Sequence, residues 1–367
     1  MAALEIKSVS KAFGAVRPAD SLSLAVEPGE IVAVFGPSGG GKTVLLRMIA
    51  GMFEPDEGDI LVGGRSIVGA VPERRGIGMA FQNFALFPHL TARDNIASGL
   101  RAKGRVDDAA ARVQAISKLL KIEHVLGHVP RELSNGQKQR TALARALVGN
   151  PDVLLLDDPL RNVDAKLRYE MRLELPSLLR RGAAAVLYVT QDYREAMAIA
   201  DRIAVLIEGR LEQIASPEEI YASPASVAVA RLFGDPSINL GEITPFTEHG
   251  MLFAAISGAR VLLGAAEALP ADRPYWLGVR PEHLDISFAA GEEAIRARVL
   301  AITPMHEKAV LLLRLEDGRE WLGSLRPGAP KVVADDTVFV RFAQEAVQLF
   351  DRETGLRVSL SHRRQAA

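Results

Sequence analysis

A glycine-rich segment with a lysine and a threonine at its end offers the clearest chemistry in this 367-residue chain. It follows the apolar run 31–35, precedes an amphipathic helical pattern, and reads Gly36, Pro37, Ser38, Gly39, Gly40, Gly41, Lys42, Thr43. This spacing fits the pattern G-x-x-x-x-G-K-[ST], in which backbone N–H groups surround a phosphate at a helix N-terminus. Lys42 would bind the outer phosphates and the Thr43 hydroxyl would bind Mg²⁺. The segment predicts a nucleotide site.

Two more motifs follow it along the chain. The first reads Leu133, Ser134, Asn135, Gly136, Gln137, and in the second the apolar run 153–156 ends at Asp157 and Asp158. A phosphate loop that is followed by both motifs in this order predicts an ATP-driven protein.

Length and composition limit the kinds of protein to which this nucleotide site could belong. The length predicts two domains. The 44 Lys and Arg residues balance 45 Asp and Glu residues, which argues against a nucleic-acid partner. No apolar run approaches the roughly 18 residues that span a bilayer, and no signal-peptide pattern is present, so we expect a soluble, unexported chain. The sequence has no cysteine, which excludes disulfides and thiolate metal sites.

The pattern of apolar residues divides the chain into two halves. Residues 1–233 alternate short apolar runs with helical patterns, which predicts an α/β domain with a largely parallel sheet. Within it, residues from about 88 to 150 are mostly helical and predict an inserted helical subdomain. Residues 234–367 alternate with period two and predict a small all-β barrel of the OB type.

Together these motifs resemble the ATPase subunit of ATP-binding-cassette importers, in the group that includes the maltose, sugar, glycerol-phosphate and polyamine importers. Segments 278–283 and 347–355 resemble that group's C-terminal barrel, a TOBE-type domain. The resemblance implies a P-loop nucleoside triphosphatase that uses ATP and Mg²⁺. It also implies two transmembrane permease subunits, an indirect solute-binding partner outside the membrane, and a peripheral position on the cytoplasmic face of the inner membrane.

In that family, two ATPase subunits enclose two ATP molecules, and each site combines the phosphate loop of one subunit with the signature motif of the other. The resemblance assigns ATP contacts to Phe13, Gly36, Pro37, Ser38, Gly39, Gly40, Gly41, Lys42, Thr43, Val44, Ser134, Asn135, Gly136 and Gln137. It assigns Mg²⁺ contacts to Thr43, Gln82 and Asp157. It assigns catalytic roles to Asp158, Gln191 and Gln82.

Four positions depart from the family pattern. Asp158 stands where a glutamate commonly polarises the attacking water, and Gln191 stands where a histidine contacts the γ-phosphate. Asn135 replaces a signature glycine, and Arg161 replaces a common serine. A base should lie within about 3 Å of the proton that it accepts, so a shorter carboxylate predicts slow hydrolysis unless the backbone adjusts.

These departures favour a heterodimer in which this chain is the degenerate half, although a homodimer is also possible. A transported carbohydrate, polyol or glycerol-type solute is expected. The alternative is a regulatory subunit that binds nucleotide without hydrolysing it, and a non-transport ATPase is a third hypothesis. Glu195 is expected to be a carboxylate on a helix face.

Overall fold

The computed structural model describes residues 2–101, 109–181, 184–265, 269–270, 273–291, 293–305, 308–325, 328–329 and 331–359. The chain divides into two compact units, Met1–Ile220 and Tyr221–Ala367. Among the described residues, no helix is both long and apolar enough to cross a membrane.

The strands of the N-terminal unit are β1 (Leu4–Phe13), β2 (Val16–Val26), β3 (Ile31–Phe35), β4 (Glu57–Val62), β5 (Arg65–Ser66), β6 (Ile77–Ala80), β7 (Val153–Asp157), β8 (Ala185–Thr190), β9 (Arg202–Ile207) and β10 (Arg210–Ala215). The helices up to the end of this unit are α1 (Lys42–Ala50), α2 (Ala92–Arg101), α3 (Ala109–Leu119), α4 (Asn135–Leu147), α5 (Ala165–Arg180), α6 (Tyr193–Ile199) and α7 (Pro217–Ala222). A helical segment formed by α2, α3 and α4 lies between β6 and β7 in the chain, as predicted.

A six-stranded sheet of order β10-β9-β3-β8-β7-β6 forms the centre of this unit. All its neighbouring pairs are parallel except β9 with β10. The strands β3, β7 and β8 are buried throughout, which is why they read as continuous apolar runs. The predicted α/β class is confirmed.

Alternation along β7 divides the core between the two faces of the sheet. Leu154 and Leu156 pack with the helical segment and α5, whereas Val153 and Leu155 pack with α1 and a second, antiparallel sheet. That second sheet has the order β2-β1-β4-β5. It was not anticipated from the sequence.

Register places the carboxyl ends of the parallel strands at one edge. Phe35 pairs with Thr190, and Asp157 pairs with Val189. Since β6 runs parallel to β7, its carboxyl end at Ala80 lies at the same edge. The segments that follow β3, β6, β7 and β8 therefore converge there.

The C-terminal unit consists mainly of antiparallel strands. Its elements are α8 (Val227–Leu232), β11 (Asn239–Ile243), β12 (Phe246–Glu248), β13 (Met251–Ile256), β14 (Ala259–Ala265), β15 (Tyr275–Val279), β16 (Asp285–Ser287), β17 (Ile295–Pro304), β18 (Ala309–Leu315), β19 (Glu320–Leu325), β20 (Thr337–Arg341), β21 (Gln348–Asp351) and β22 (Arg357–Val358). They form sheets of order β11-β15-β21-β22, β12-β13-β14 and β16-β20-β17-β18-β19 around one apolar core. The predicted all-β, OB-like fold is confirmed for the described residues.

The division between the units differs from the predicted one between residues 233 and 234. The compact C-terminal unit starts at Tyr221 and includes α8. Ala230 of this helix packs with Ile238 and Phe350. The helix therefore packs against residues of the β-rich unit in a small apolar cluster apart from the main core, a long-range contact that periodicity along the chain does not reveal.

Arg280 ties the first residues of the C-terminal unit to its strands. The side chain is 1% exposed. Its guanidinium donates to the carbonyl oxygen of Tyr221 at 2.7 Å and to that of Phe233 at 2.6 Å, and it lies 3.6 Å from the Tyr221 ring centroid.

We expect Arg280→Met to destabilise this unit by about 3 kcal/mol, because buried carbonyls lose charged donors. Urea unfolding of the full chain measures the change. Arg296→Met is the matched control: Arg296 forms an exposed ion pair with Glu316, so its loss should cost less than about 1 kcal/mol. Equal effects of the two substitutions would contradict the role given to Arg280.

Candidate functional site

A cavity of about 160 Å³ lies at the edge where the parallel strands end. It is lined by Pro18, Gly39, Gly41, Lys42, Thr43, Val44, Gln82, Asp157, Asp158, Val189 and Gln191. Segments after four different strands contribute to this lining. Of the predicted phosphate-binding residues, the described lining includes Gly39, Gly41, Lys42, Thr43 and Val44 and does not include Gly36, Pro37, Ser38 or Gly40. All the residues predicted to bind Mg²⁺ or to act in catalysis are part of it.

The phosphate loop is held against neighbouring backbone at two glycines. A Cβ on Gly36 would lie 2.0 Å from the Leu206 carbonyl oxygen, and one on Gly41 would lie 1.8 Å from the Pro18 carbonyl oxygen. Gly41 also has a φ of 102° and precedes the first residue of α1. Only glycine fits at these two positions. With glycine at both, the loop can run directly into the N-terminus of α1.

The Lys42 ammonium is buried in this loop. It donates to the carbonyl oxygens of Gly36 at 2.8 Å and Pro37 at 2.7 Å. Burial lowers the pKa of Lys42, and the carboxylates of Asp158 and Asp157 oppose that decrease. A cation held among carbonyl oxygens and carboxylates is available to pair with an anionic phosphate.

The two carboxylates after β7 are also buried. Asp157 is 8% exposed and Asp158 is 7% exposed. Burial raises the pKa of Asp157, with Arg47 and Lys42 opposing the increase. Burial likewise raises the pKa of Asp158, where Arg161 is the main opposing group. Both carboxylates are therefore poised to accept a cation or a proton.

Two amides connect separate loops of the cavity. The Ser38 hydroxyl donates to Gln191 Oε1 at 2.8 Å, which links the segment after β8 to the phosphate loop. The Asn162 amide donates to the Gln82 carbonyl oxygen at 2.8 Å, which links the segments after β7 and β6. These two hydrogen bonds therefore connect the loops that line the cavity to one another.

The motif at residues 133–137 lies elsewhere, at the start of α4. Ser134 and Gln137 form a capping box, in which Ser134 Oγ accepts from the Gln137 N–H at 3.3 Å and Gln137 Oε1 accepts from the Ser134 N–H at 2.9 Å. Ser134 and Asn135 are exposed, and neither is among the described residues that line the cavity. This placement suits residues that serve the site of an opposite subunit.

Gly136 is buried, and a Cβ there would lie 2.2 Å from Leu167 Cδ2 on α5. This glycine therefore allows α4 to approach α5. Asn135, which replaces a signature glycine, is the first helical residue of α4, so its backbone is part of the right-handed helix.

Phe13, predicted to contact the adenine ring, ends β1. It is 46% exposed and contacts Phe53 edge to face, with ring centroids 5.5 Å apart. It lies outside the described lining of the phosphate cavity. The exposed part of the Phe13 ring lies outside that cavity and suits stacking on the base of a nucleotide.

Comparison with known proteins agrees with this geometry. Residues 19–161 match the family model described as ABC transporter, and residues 277–350 match the TOBE domain. The sn-glycerol-3-phosphate import ATP-binding protein UgpC of Cereibacter sphaeroides is 41% identical over 362 residues, which cover 98% of this chain and 100% of that protein. The xylose/arabinose import ATP-binding protein XacJ of Haloferax volcanii is 38% identical, with 98% and 96% covered.

The chain belongs to the ABC transporter family of ATPases. The predicted resemblance, including the TOBE domain, is confirmed. A dimeric ATP-binding cassette, MJ0796, in a post-hydrolysis state with ADP and Pi bound, is 29% identical with a TM-score of 0.52. The match covers 58% of this chain and 98% of MJ0796. The residues that match the ABC transporter model, 19–161, lie in the N-terminal unit. ATP is the nucleotide that the family implies for the cavity.

One buried carboxylate of this ABC ATPase, that of Glu195, was not predicted from the sequence. Glu195 was expected on a helix face, but it is 1% exposed. Its Oε2 accepts from the Tyr188 hydroxyl and from the Thr190 hydroxyl, each at 3.0 Å. Thr190 Oγ1 also accepts from the Asp192 N–H at 3.0 Å. The carboxylate thus holds the turn that carries Gln191.

The pH dependence of stability should report this buried carboxylate. Burial raises the pKa of Glu195 above its ordinary value of 4.5, and its hydrogen bonds only partly oppose the increase. Its stabilising contribution is therefore complete below the unfolded-state pKa and is lost as pH rises through the folded-state pKa. We expect Glu195→Gln to become more stable, relative to the wild type, as pH rises from about 4.5.

Urea unfolding between about pH 4.5 and pH 8 measures this difference. Glu170→Gln is the matched control, because Glu170 is an exposed carboxylate on α5. This variant measures what the loss of an exposed glutamate does to stability over the same pH range. A Glu195→Gln variant that loses stability relative to the wild type as pH rises would show that the sign is wrong.

Proposed function

We propose that this chain is the ATP-hydrolysing subunit of an ABC importer and that it energises solute uptake through membrane permeases. One observation carries the proposal: the phosphate loop, both buried carboxylates, Gln82 and Gln191 line a single cavity. The full-length relatives named for import support the transport role. The names of those relatives do not support the alternative, which is a regulatory subunit that binds nucleotide without hydrolysing it.

The proposed chemistry is in-line transfer of the γ-phosphoryl group to water. Lys42 binds the outer phosphates at the N-terminus of α1. Asp158 accepts a proton from the attacking water, and the Gln191 amide holds the γ-phosphate end of the site. Because positioning and electrostatics supply most of the catalysis in phosphoryl transfer, the rigidity of these groups determines the rate.

Thr43, Gln82 and Asp157 fit a Mg²⁺ ion. They present a hydroxyl, an amide and a carboxylate to the same cavity. Mg²⁺ prefers oxygen ligands, keeps several waters and takes few protein groups, so this small oxygen set suits it. The ion would neutralise charge on the ATP phosphates.

Two features support the degenerate half of an ATPase heterodimer. The carboxylate at position 158 is one methylene shorter than glutamate. Gln191 has an amide where imidazole would carry charge, and its oxygen already accepts from Ser38. This chain's own site would hydrolyse slowly, while its signature motif would complete the site of a second ATPase.

A cleft beside the Gln82 segment suits a permease helix. Its volume is about 360 Å³, and its walls include Phe81, Phe87 and Arg145. Phe87 is 45% exposed, and Arg145 donates to the Phe84 and Ala85 carbonyl oxygens. A partner seated there would move the segment that contains Gln82. We place the chain on the cytoplasmic face of the membrane, with two permeases and a solute-binding protein that delivers a carbohydrate, polyol or glycerol-type solute.

Steady-state ATP hydrolysis by the purified chain tests the degenerate site. We expect the wild type to be slow and Asp158→Glu with Gln191→His to be at least about tenfold faster, because a longer base and a charged group are restored. Adding Lys42→Ala should abolish turnover in both backgrounds, which assigns the signal to this site. Comparable rates for the wild type and the double variant would favour a homodimer.

Purification of the assembled transporter through a tag on this chain tests the partners. We expect two permeases and a second, different ATPase to copurify. A complex that hydrolyses ATP and returns only this ATPase would contradict the heterodimer. A complex without permeases would contradict the transport role.

A further inference from the structure

The backbone around Asp158 is fixed on both sides of the residue. Its N–H donates to the Val189 carbonyl oxygen at 2.8 Å, and its carbonyl oxygen accepts from the Arg161 N–H at 3.2 Å. Its φ is 46°, in the left-handed region that aspartate tolerates better than most residues. Because the backbone is held in this way, the direction of the Asp158 carboxylate depends only on its side-chain torsions.

Arg161 lies where it can set those torsions. Its Nη1 is 3.5 Å from Asp158 Oδ2. The Asp158 side chain is 9% exposed, whereas that of Arg161 is 51% exposed. The ion pair therefore links a buried carboxylate to a half-exposed guanidinium. Arg161 is therefore not simply a solvated surface arginine.

The segment that carries Arg161 is itself held in place. The guanidinium of Arg168, on α5, donates to the carbonyl oxygens of Leu160 at 3.2 Å, Arg161 at 3.2 Å and Val163 at 3.1 Å. The next residue, Asn162, is hydrogen-bonded to the Gln82 backbone. An arginine on a backbone anchored in this way can orient a short carboxylate.

We propose that Arg161 is a positioning residue for catalysis, which orients the Asp158 carboxylate towards the water that attacks ATP. This inference rests on the proposed role of Asp158 as the base. It explains how an aspartate serves where a longer side chain is common: the local backbone and the arginine together fix its direction. A misplacement of about 1 Å can cost about a hundredfold in rate, so orientation matters.

The placement of Arg161 gives the proposal a second readout. Its guanidinium faces the Asp158 carboxylate, and Arg161 is not among the described residues that line the cavity. Removal of Arg161 should therefore affect turnover and leave the binding of nucleotide unchanged.

The test is single-turnover hydrolysis of radiolabelled ATP by the full chain with Mg²⁺, a format that detects slow sites. We expect Arg161→Ala to lower the rate by roughly tenfold, which is less than the ~10²-fold minimum supplied by a general base. The affinity for a fluorescent ATP analogue should not change. Arg161→Lys, which keeps a cation near the Asp158 carboxylate, should restore part of the lost rate.

Two further variants separate the possible failures. In an Asp158→Asn background, Arg161→Ala should have no further effect, because the group that it orients is gone. Arg65→Ala, which removes an exposed arginine on β5, should leave the rate unchanged. If Asp158→Asn hydrolyses ATP like the wild type, both the base assignment and this inference fail.

Three outcomes would overturn the inference while leaving the proposed ATPase function in place. They are an unchanged or faster rate in Arg161→Ala, no recovery of the rate in Arg161→Lys, and a loss of nucleotide affinity in Arg161→Ala.

Discussion

The burial of three charges at one sheet edge is the constraint around which the N-terminal unit is organised. The Lys42 ammonium and the Asp157 and Asp158 carboxylates are each less than a tenth exposed. Charges removed from water are costly unless they are paired or hydrogen-bonded. Here the two signs offset each other across the cavity, and loop carbonyl oxygens accept from the ammonium. The parallel register makes this possible, because it brings the ends of β3 and β7 to the same edge.

The glycines of the phosphate loop serve the same constraint. Gly36 lies against the backbone of Leu206 on β9, and Gly41 lies against the backbone of Pro18 on β2. These close approaches join the loop to both sheets, so the phosphate-binding segment belongs to the packed core. Gly39, by contrast, has open space at its Cβ position and a φ of 81°, so only its backbone conformation favours glycine.

The sequence predicted the central sheet well because each motif follows an apolar strand. It also predicted the all-β C-terminal unit, because apolar residues alternate there with period two. The antiparallel sheet was missed, since β1 and β2 mix polar and apolar residues with several register shifts. Glu195 was misjudged for another reason: the hydroxyls that bury it come from β8, and helical spacing reports only the neighbours within α6.

The departures from the family pattern make physical sense as parts of one local arrangement. Aspartate suits a left-handed backbone position, and Arg161 faces its carboxylate. The Gln191 oxygen accepts from Ser38, whereas a protonated imidazole at that position could only donate. In the wild-type chain the turn after β8 is therefore joined to the phosphate loop by a neutral hydrogen bond. Replacing one of these residues by its common family counterpart changes a contact as well as a functional group, so effects at Asp158, Arg161 and Gln191 should not add.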